Sequence, residues 1–167
     1  NLIIVNFHAD GNNGVDIVKF LKNSLILSNP SPSIWGVDIV KFLKNGTVEN
    51  CTFLNNTGSR TVLAFAGGEI LNSTFANNTA QNGGAVFVEG DNVNITYSYF
   101  HNGGATDGVG IYIKGSNTQV WYSNFTQMGA RANQTLNYTT SGGSIYVAGN
   151  DTLISSNHLS KTNAGRI

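Results

Sequence analysis

GGAVFVEGDNVNITYSYF, residues Gly83–Phe100, decides the reading of the whole chain. A glycine pair opens it, and a short apolar run follows, Ala85-Val86-Phe87-Val88. Glu89-Gly90-Asp91-Asn92 has the composition of a tight turn, because Gly and Asn tolerate positive φ and Asp bonds its own backbone there. Val93 and Ile95 then alternate with Asn94 and Thr96, the period-two pattern of a half-buried strand, and Phe100 closes the unit. The same strand–turn–strand recurs as GVGIYIKGSNTQVWYSNF at Gly108–Phe125 and as GGSIYVAGNDTLISSNHL at Gly142–Leu159. A recurring unit too small to bury its own apolar face marks a solenoid.

Alignment on the closing residues Phe53, Phe75, Phe100, Phe125 and Leu159 extends the pattern upstream and produces columns. Val48, Ile70, Ile95, Val120 and Ile154 form an aliphatic column, and Cys51, Ser73, Ser98, Ser123 and Asn157 a small polar one. Stacked coils need that combination: each position meets its own kind every ~4.8 Å, and only small side chains fit where a coil bends inward. Val86, Ile111 and Ile145, with Val88, Ile113 and Val147, give a second inward set. Phe87, Tyr112 and Tyr146, between them, are expected outside as an aromatic stack. GVDIVKFLKN occurs twice, at Gly14–Asn23 and Gly36–Asn45, an interval of 22 that matches the repeat. Its Val, Ile and Phe favour strand over amphipathic helix, and stacking of the two copies would set Asp16 over Asp38. The expected fold is therefore all-β, a right-handed single-stranded parallel β-helix of about six to seven rungs of 22–25 residues. It runs through residues 1–167 as one segment of a longer protein, with protruding loops at 28–36 and 127–141.

Composition narrows the function. Nine basic and nine acidic residues cancel and are spread along the chain, which leaves no electrostatic footprint for nucleic acid or for an anionic membrane surface. No apolar run approaches the ~18 residues of a membrane-spanning helix, so direct membrane insertion is not expected. Cys51 is the single cysteine; it excludes an internal disulfide and a multi-cysteine metal site, and its column predicts a buried thiol. The chain holds 24 asparagines and 20 glycines, which suits many tight turns between short strands.

GGAV at Gly83–Val86 and FANN at Phe75–Asn78 resemble the paired GGA-I and F-x-x-N repeats of bacterial polymorphic outer-membrane adhesins. Whole units, NGGAVFVEGDNVNITYSYF, FLNNTG and LNSTFANNTAQNGGA, are similar to the β-helix repeats of adhesin-like surface proteins of methanogenic archaea. The resemblance covers roughly residues 37–159. It implies a β-helix at the cell surface with a role in adhesion or envelope structure. GVGI and GGSI depart from GGAI, and Phe125 leads FTQM where F-x-x-N is the pattern.

Polysaccharide lyases and glycoside hydrolases are the enzymatic alternative for a parallel β-helix, and they need carboxylates converging on one face. The acids are Asp10, Asp16, Asp38, Glu49, Glu69, Glu89, Asp91, Asp107 and Asp151. Glu49 and Glu69 are expected near one column, whereas Glu89, Asp91 and Asp151 fall in turns. No D-x-D pair and no His–acid arrangement occurs, and His8, His101 and His158 lie far apart, so no catalytic, cofactor or metal residue is assigned. N-x-[ST] occurs at Asn45, Asn50, Asn55, Asn72, Asn77, Asn94, Asn124, Asn133, Asn137 and Asn150. Of these, Asn55, Asn77, Asn133 and Asn137 fall in turns or the long loop and are the glycosylation candidates. Phe87, Tyr112, Trp121, Tyr138 and Tyr146 are the candidate binding face, since exposed aromatic rows suit sugar rings. The expected role is a non-enzymatic adhesin or stalk whose partner is a surface glycan or protein of another cell. The alternative is a sheath or filament subunit whose copies pack end to end or laterally through open strand edges.

Overall fold

The computed structural model describes residues 45–58, 60–130 and 143–162, together with the short segments 3–5, 15–17, 20–22, 24–27 and 38–42. The expected loop at 28–36, and most of the one at 127–141, lie outside the described residues. Among the described residues there is no helix, and every strand pair is parallel. The chain forms a β-solenoid whose main strands come in consecutive triples, one to each of three sheets, with Gly104–Ala105 and Gly129–Ala130 as a fourth, two-stranded sheet. The first face stacks Val15–Ile17, Asp38–Phe42, Thr61–Phe65, Val86–Val88, Ile111–Ile113 and Ile145–Val147. Phe20–Lys22, Gly46–Glu49, Gly68–Leu71, Val93–Thr96, Gln119–Trp121 and Leu153–Ser155 make the second. The third holds Ile3–Val5, Leu25–Leu27, Thr52–Leu54, Thr74–Ala76, Tyr99–His101, Asn124–Thr126 and His158–Ser160.

The anchor alignment is the observed register. Phe53, Phe75, Phe100, Phe125 and Leu159 pair in turn on the third face. The four phenylalanines are fully buried, with ring centroids 4.8, 4.9 and 4.7 Å apart and planes within 11°. Such offset stacks contribute about 0.5–1.5 kcal/mol per pair beyond burial of the rings. Val48, Ile70, Ile95 and Val120 stack on the second face, and Leu63, Val86 and Ile111 on the first, so one continuous core fills the interior.

The corner between the second and third faces explains the small polar column. Cys51 N–H donates to Ser73 Oγ (3.2 Å), Ser73 N–H to Ser98 Oγ (3.2 Å), Ser98 N–H to Ser123 Oγ (3.1 Å) and Ser123 N–H to Asn157 Oδ1 (2.8 Å). Each serine hydroxyl then donates to the carbonyl two residues back. These buried N–H groups would otherwise lack partners, at a cost of about 1–3 kcal/mol each. The final Asn of F-x-x-N has a parallel duty. Buried Asn56 and Asn78 bond to each other and to the carbonyls of Ile26 and Phe53. Where the motif lapses, Gly103 makes room for buried Met128, whose Cε would lie 2.9 Å from a Cβ there, so an apolar plug replaces the polar one.

Three expectations are corrected. The twin decapeptides are strands but do not stack residue on residue: Val15 pairs with Val40, the counterpart of Val18, and Asp16 pairs with Lys41. Asp38 pairs with Thr61, so Asp16 and Asp38 share no column. Glu69 pairs with Thr47 and Glu49 with Leu71, so those two acids also lie in different columns. Finally, the segment expected to leave the stack at residue 127 stays on it through Gly129–Ala130, which pairs with Gly104–Ala105.

Glycine is required where backbones meet. Gly83 and Gly108 hold φ of 60° and 54° at the entry to the first face. Gly115 sits so close to the coil before it that a Cβ would lie 1.9 Å from the Gly90 carbonyl oxygen, whereas a Cβ at Gly129 would meet nothing within 4 Å. Gly115→Ala should therefore lower unfolding free energy by about 3 kcal/mol, the cost of forcing atoms into a packed site. Gly129→Ala should stay within about 0.5 kcal/mol of the parent. Urea titrations of both variants followed by circular dichroism check this, and equal effects would contradict the register of these corners.

Candidate functional site

Alternation on the first face sends Lys41, Ala64, Phe87, Tyr112 and Tyr146 outward in one column. The expected aromatic stack is there: Phe87 and Tyr112 rings lie 5.0 Å apart at 19°, and Tyr112 and Tyr146 4.7 Å apart at 39°. Its Phe87 end is closed. The Arg60 guanidinium lies 4.8 Å over that ring, and Arg60 Nη1 donates to Glu89 Oε1 at 2.6 Å, with Lys41 Nζ 3.6 Å from Oε2. Phe87 keeps 7 % of its surface, so it offers no ring face to a ligand, whereas Tyr112 and Tyr146 are half-buried. Burial raises the Tyr112 pKa, reinforced by Tyr146 and Asp107. For Glu89, burial pushes the carboxyl up, but the hydrogen bond and charge of Arg60 and the charge of Lys41 outweigh it and hold the group below its ordinary value.

Trp121 lies on a different face, the second, in the column Glu49, Leu71, Thr96, Trp121, Ser155. Tyr138 lies outside the described residues. The five aromatics proposed from sequence therefore do not form one surface. Trp121 belongs to a second group, at the corner between the second and third faces. The corner residue there is left-handed in each coil described: Asn50, Asn72, Tyr97, Tyr122 and Ser156, with φ of 46–56°. Asn72 Nδ2 donates to Asn50 Oδ1 at 2.7 Å, and the next two coils replace this amide ladder with rings, Tyr97 and Tyr122, 5.3 Å apart at 11°. Asn accepts this backbone readily, but for a bulky L-residue it costs roughly 1–2 kcal/mol. The two tyrosines are 60 % and 49 % exposed, so burial does not offset that cost.

Around them the polar groups are hydroxyls, an indole and an imidazole. Trp121 packs 6.1 Å from Tyr122, and its buried indole N–H has no hydrogen-bond partner among the described residues. On the third face Tyr99 Oη lies 3.0 Å from Thr126 Oγ1 and 3.2 Å from His101 Nδ1, and that Nδ1 is 2.8 Å from Thr126 Oγ1. The strands and corners that carry this patch, residues 93–101, 119–126 and 153–160, contain no Asp, Glu, Lys or Arg. The sequence reasoning missed Tyr97 and Tyr99, and it set Tyr122 with Trp121 on the second strand, whereas the strand ends at Trp121 and Tyr122 is the corner residue. The available signal was the anchor alignment itself, which sets two tyrosines in the column that Asn50 and Asn72 hold.

The remaining candidates are dispersed. Among the described residues no group of three or more His, Cys, Asp or Glu is placed to hold a metal ion. Cys51 is buried, and burial pushes its thiol pKa up. Asp91 Oδ1 accepts from the Ser116 N–H at 2.7 Å, and Asp151 is a left-handed corner residue. An open depression of about 510 Å³ on the second face is lined by Asn45, Thr47, Gly68, Glu69, Asn92 and Asn94, with Thr47 Oγ1 donating to Glu69 Oε1 at 3.3 Å. Of the glycosylation candidates, Asn133 and Asn137 lie outside the described residues. Asn55 and Asn77 are exposed left-handed corners, joined by Asn77 Nδ2 donating to Asn55 Oδ1 at 3.0 Å, while Asn102 Nδ2 donates to Asn77 Oδ1 at 2.8 Å. A glycan on Asn77 would have to use the second hydrogen of that amide. Among the described residues no helix is long and apolar enough to cross a membrane. Comparison with protein-family models, curated proteins and solved structures finds nothing that matches the chain.

The first-face ion cluster has a testable pH signature. With its folded pKa below the ordinary 4.5, ionised Glu89 contributes stability above that pH, and the contribution is lost as pH falls through the lower folded value. Glu89→Gln should therefore be less stable than the parent at pH 7 and show a flatter decline between roughly pH 5 and pH 3. Denaturant unfolding across that range measures it; parallel curves for parent and variant would contradict the pairing.

Proposed function

We propose that this chain is a non-enzymatic β-solenoid segment of a cell-surface protein, serving as an adhesin shaft or stalk. The observation that carries the reading is the run of repeated bonds from coil to coil: the buried column of backbone N–H groups donating to serine Oγ, and the Asn50–Asn72, Asn55–Asn77–Asn102 and Asn92–Asn117 side-chain amide ladders. Together with backbone ladders on three faces, they tie each coil to its neighbours at several points, as a stiff extracellular rod requires. The resemblance of its repeats to adhesin-like surface proteins supports the location, and glycans at the exposed Asn55 corner and the sequons of the long loop fit it. The partner of such a rod is a glycan or protein on another cell.

A second reading is a sheath or filament subunit whose copies pack end to end or laterally; the low charge of the chain, 11 %, suits such packing through paired strand edges.

Native material decides between the two. A surface stalk predicts that antibody against this chain stains intact cells and that the purified protein sediments as a particle of finite size. Its mass excess over the bare chain should fall on deglycosylation. Concentration-dependent polymers at bare mass would replace the stalk with the filament, and staining only after permeabilisation would refute both surface readings.

A further inference from the structure

We infer that the Tyr97–Tyr122 corner, with Trp121 beside it and the Tyr99–His101–Thr126 cluster around the edge, is a binding site for a neutral carbohydrate chain. Two parallel rings stacked along the solenoid leave two outer ring faces. One belongs to Tyr97 and looks toward Asn72, and the other belongs to Tyr122 and looks toward Ser156. Below Tyr122 and Trp121 the column falls abruptly in size, to Ser155 and Ser156, whose hydroxyl oxygens lie 3.5 Å apart. The result is a step one coil high, with an aromatic roof and a hydroxyl floor. A pyranose ring suits such a step: its axial C–H face packs on an aromatic face while its rim hydroxyls exchange hydrogen bonds with neutral donors and acceptors.

The surroundings select for a neutral sugar chain. Tyr99 Oη, His101 Nδ1 and Thr126 Oγ1 crowd within 2.8–3.2 Å of one another. Whichever role the ring nitrogen takes, three contacts leave lone pairs on the two hydroxyl oxygens unused. Spare acceptor capacity therefore remains on this cluster, whose Tyr99 is exposed. The strands involved hold no Lys or Arg, which disfavours a nucleic acid or acidic polymer as the ligand. The repetition of Tyr97 in Tyr122 one coil on extends the aromatic surface along the solenoid, which suits an extended ligand better than a single small molecule. The site refines the partner of the surface-stalk reading without depending on it, because binding is measured on purified protein wherever the chain resides.

The test is titration of the purified full chain with cellohexaose, mannohexaose and chitohexaose, read by Trp121 fluorescence in a Trp35→Phe background. Saturable binding of at least one, with Kd of roughly 1 mM or tighter, is expected. Tyr122→Asn places in the corner the residue that Asn72 already supplies, so its unfolding midpoint should not fall while binding weakens about tenfold or more. Tyr122→Ser, copied from Ser156, serves if the asparagine variant unfolds early, and Tyr122→Phe should keep most of the affinity because the ring face remains. Failure of all three sugars to bind, or binding that survives Tyr97→Asn combined with Tyr122→Asn, overturns the assignment. Loss of affinity in Tyr122→Phe equal to that in Tyr122→Asn overturns the stacking mode. Calorimetry with the same sugars guards against a fluorescence readout that is silent.

Discussion

Everything in this molecule follows from one constraint: each residue must tolerate its own counterpart one coil away, at the spacing of paired strands. Aromatic residues meet it by stacking, as Phe53, Phe75, Phe100 and Phe125 do in the core. Asparagines meet it because an amide is both donor and acceptor and bonds to its own kind indefinitely. Carboxylates do not, since like charges stacked at that distance repel. The acids accordingly pair with something else: Glu69 with Thr47, Glu89 with Arg60 and Lys41, Asp91 with the Ser116 amide. The low charge of the sequence is a consequence of stacking before it is a statement about any partner.

The same constraint decides what could be read without coordinates. The anchor phenylalanines and the aliphatic and serine columns were legible from Phe53 to Leu159, because each coil there repeats one apolar rhythm and one corner chemistry. The twin decapeptides were legible as strands, yet their register was not. GVDIVKFLKN contains two apolar–charged–apolar triplets, Val-Asp-Ile and Val-Lys-Phe, and either satisfies the alternation of an inward-facing strand. Aligning copy on copy would place aspartate on aspartate; the observed register places Val15-Asp16-Ile17 against Val40-Lys41-Phe42 and opposite charges opposite each other. Identity of sequence is thus a weaker guide to stacking than compatibility of neighbours.

The candidate binding surface was only partly legible, and for a related reason. Alternation identified the outward column of Phe87, Tyr112 and Tyr146, but alternation cannot show that Arg60, reaching in from the preceding corner, covers Phe87. Tyr97 and Tyr122 sit at corners, where strand alternation stops and the left-handed backbone sets the direction of the side chain. Their only mark in the sequence is a departure from the asparagines that Asn50 and Asn72 set in the same corner column.

Asparagine shows how a scaffold can imitate a functional signal. Of the positive-φ residues other than glycine, most are asparagines, and they punctuate the corners of successive coils. After the corner comes an inward Cys or Ser, then a Thr that begins the third face, as in Asn50-Cys51-Thr52 and Asn72-Ser73-Thr74. Left-handed corner, small inward residue and β-branched strand start together spell N-x-T, so these two sequons arise from coil geometry and imply no selection for glycans. Those at Asn133 and Asn137 fall outside the sequence repeat, so the corner rule does not account for them. An occupied glycan at either would say more about surface life than one at the corners, and the tyrosines that replace corner asparagines are informative on the same logic: residues that disobey the scaffold's own rule carry the burden of another role.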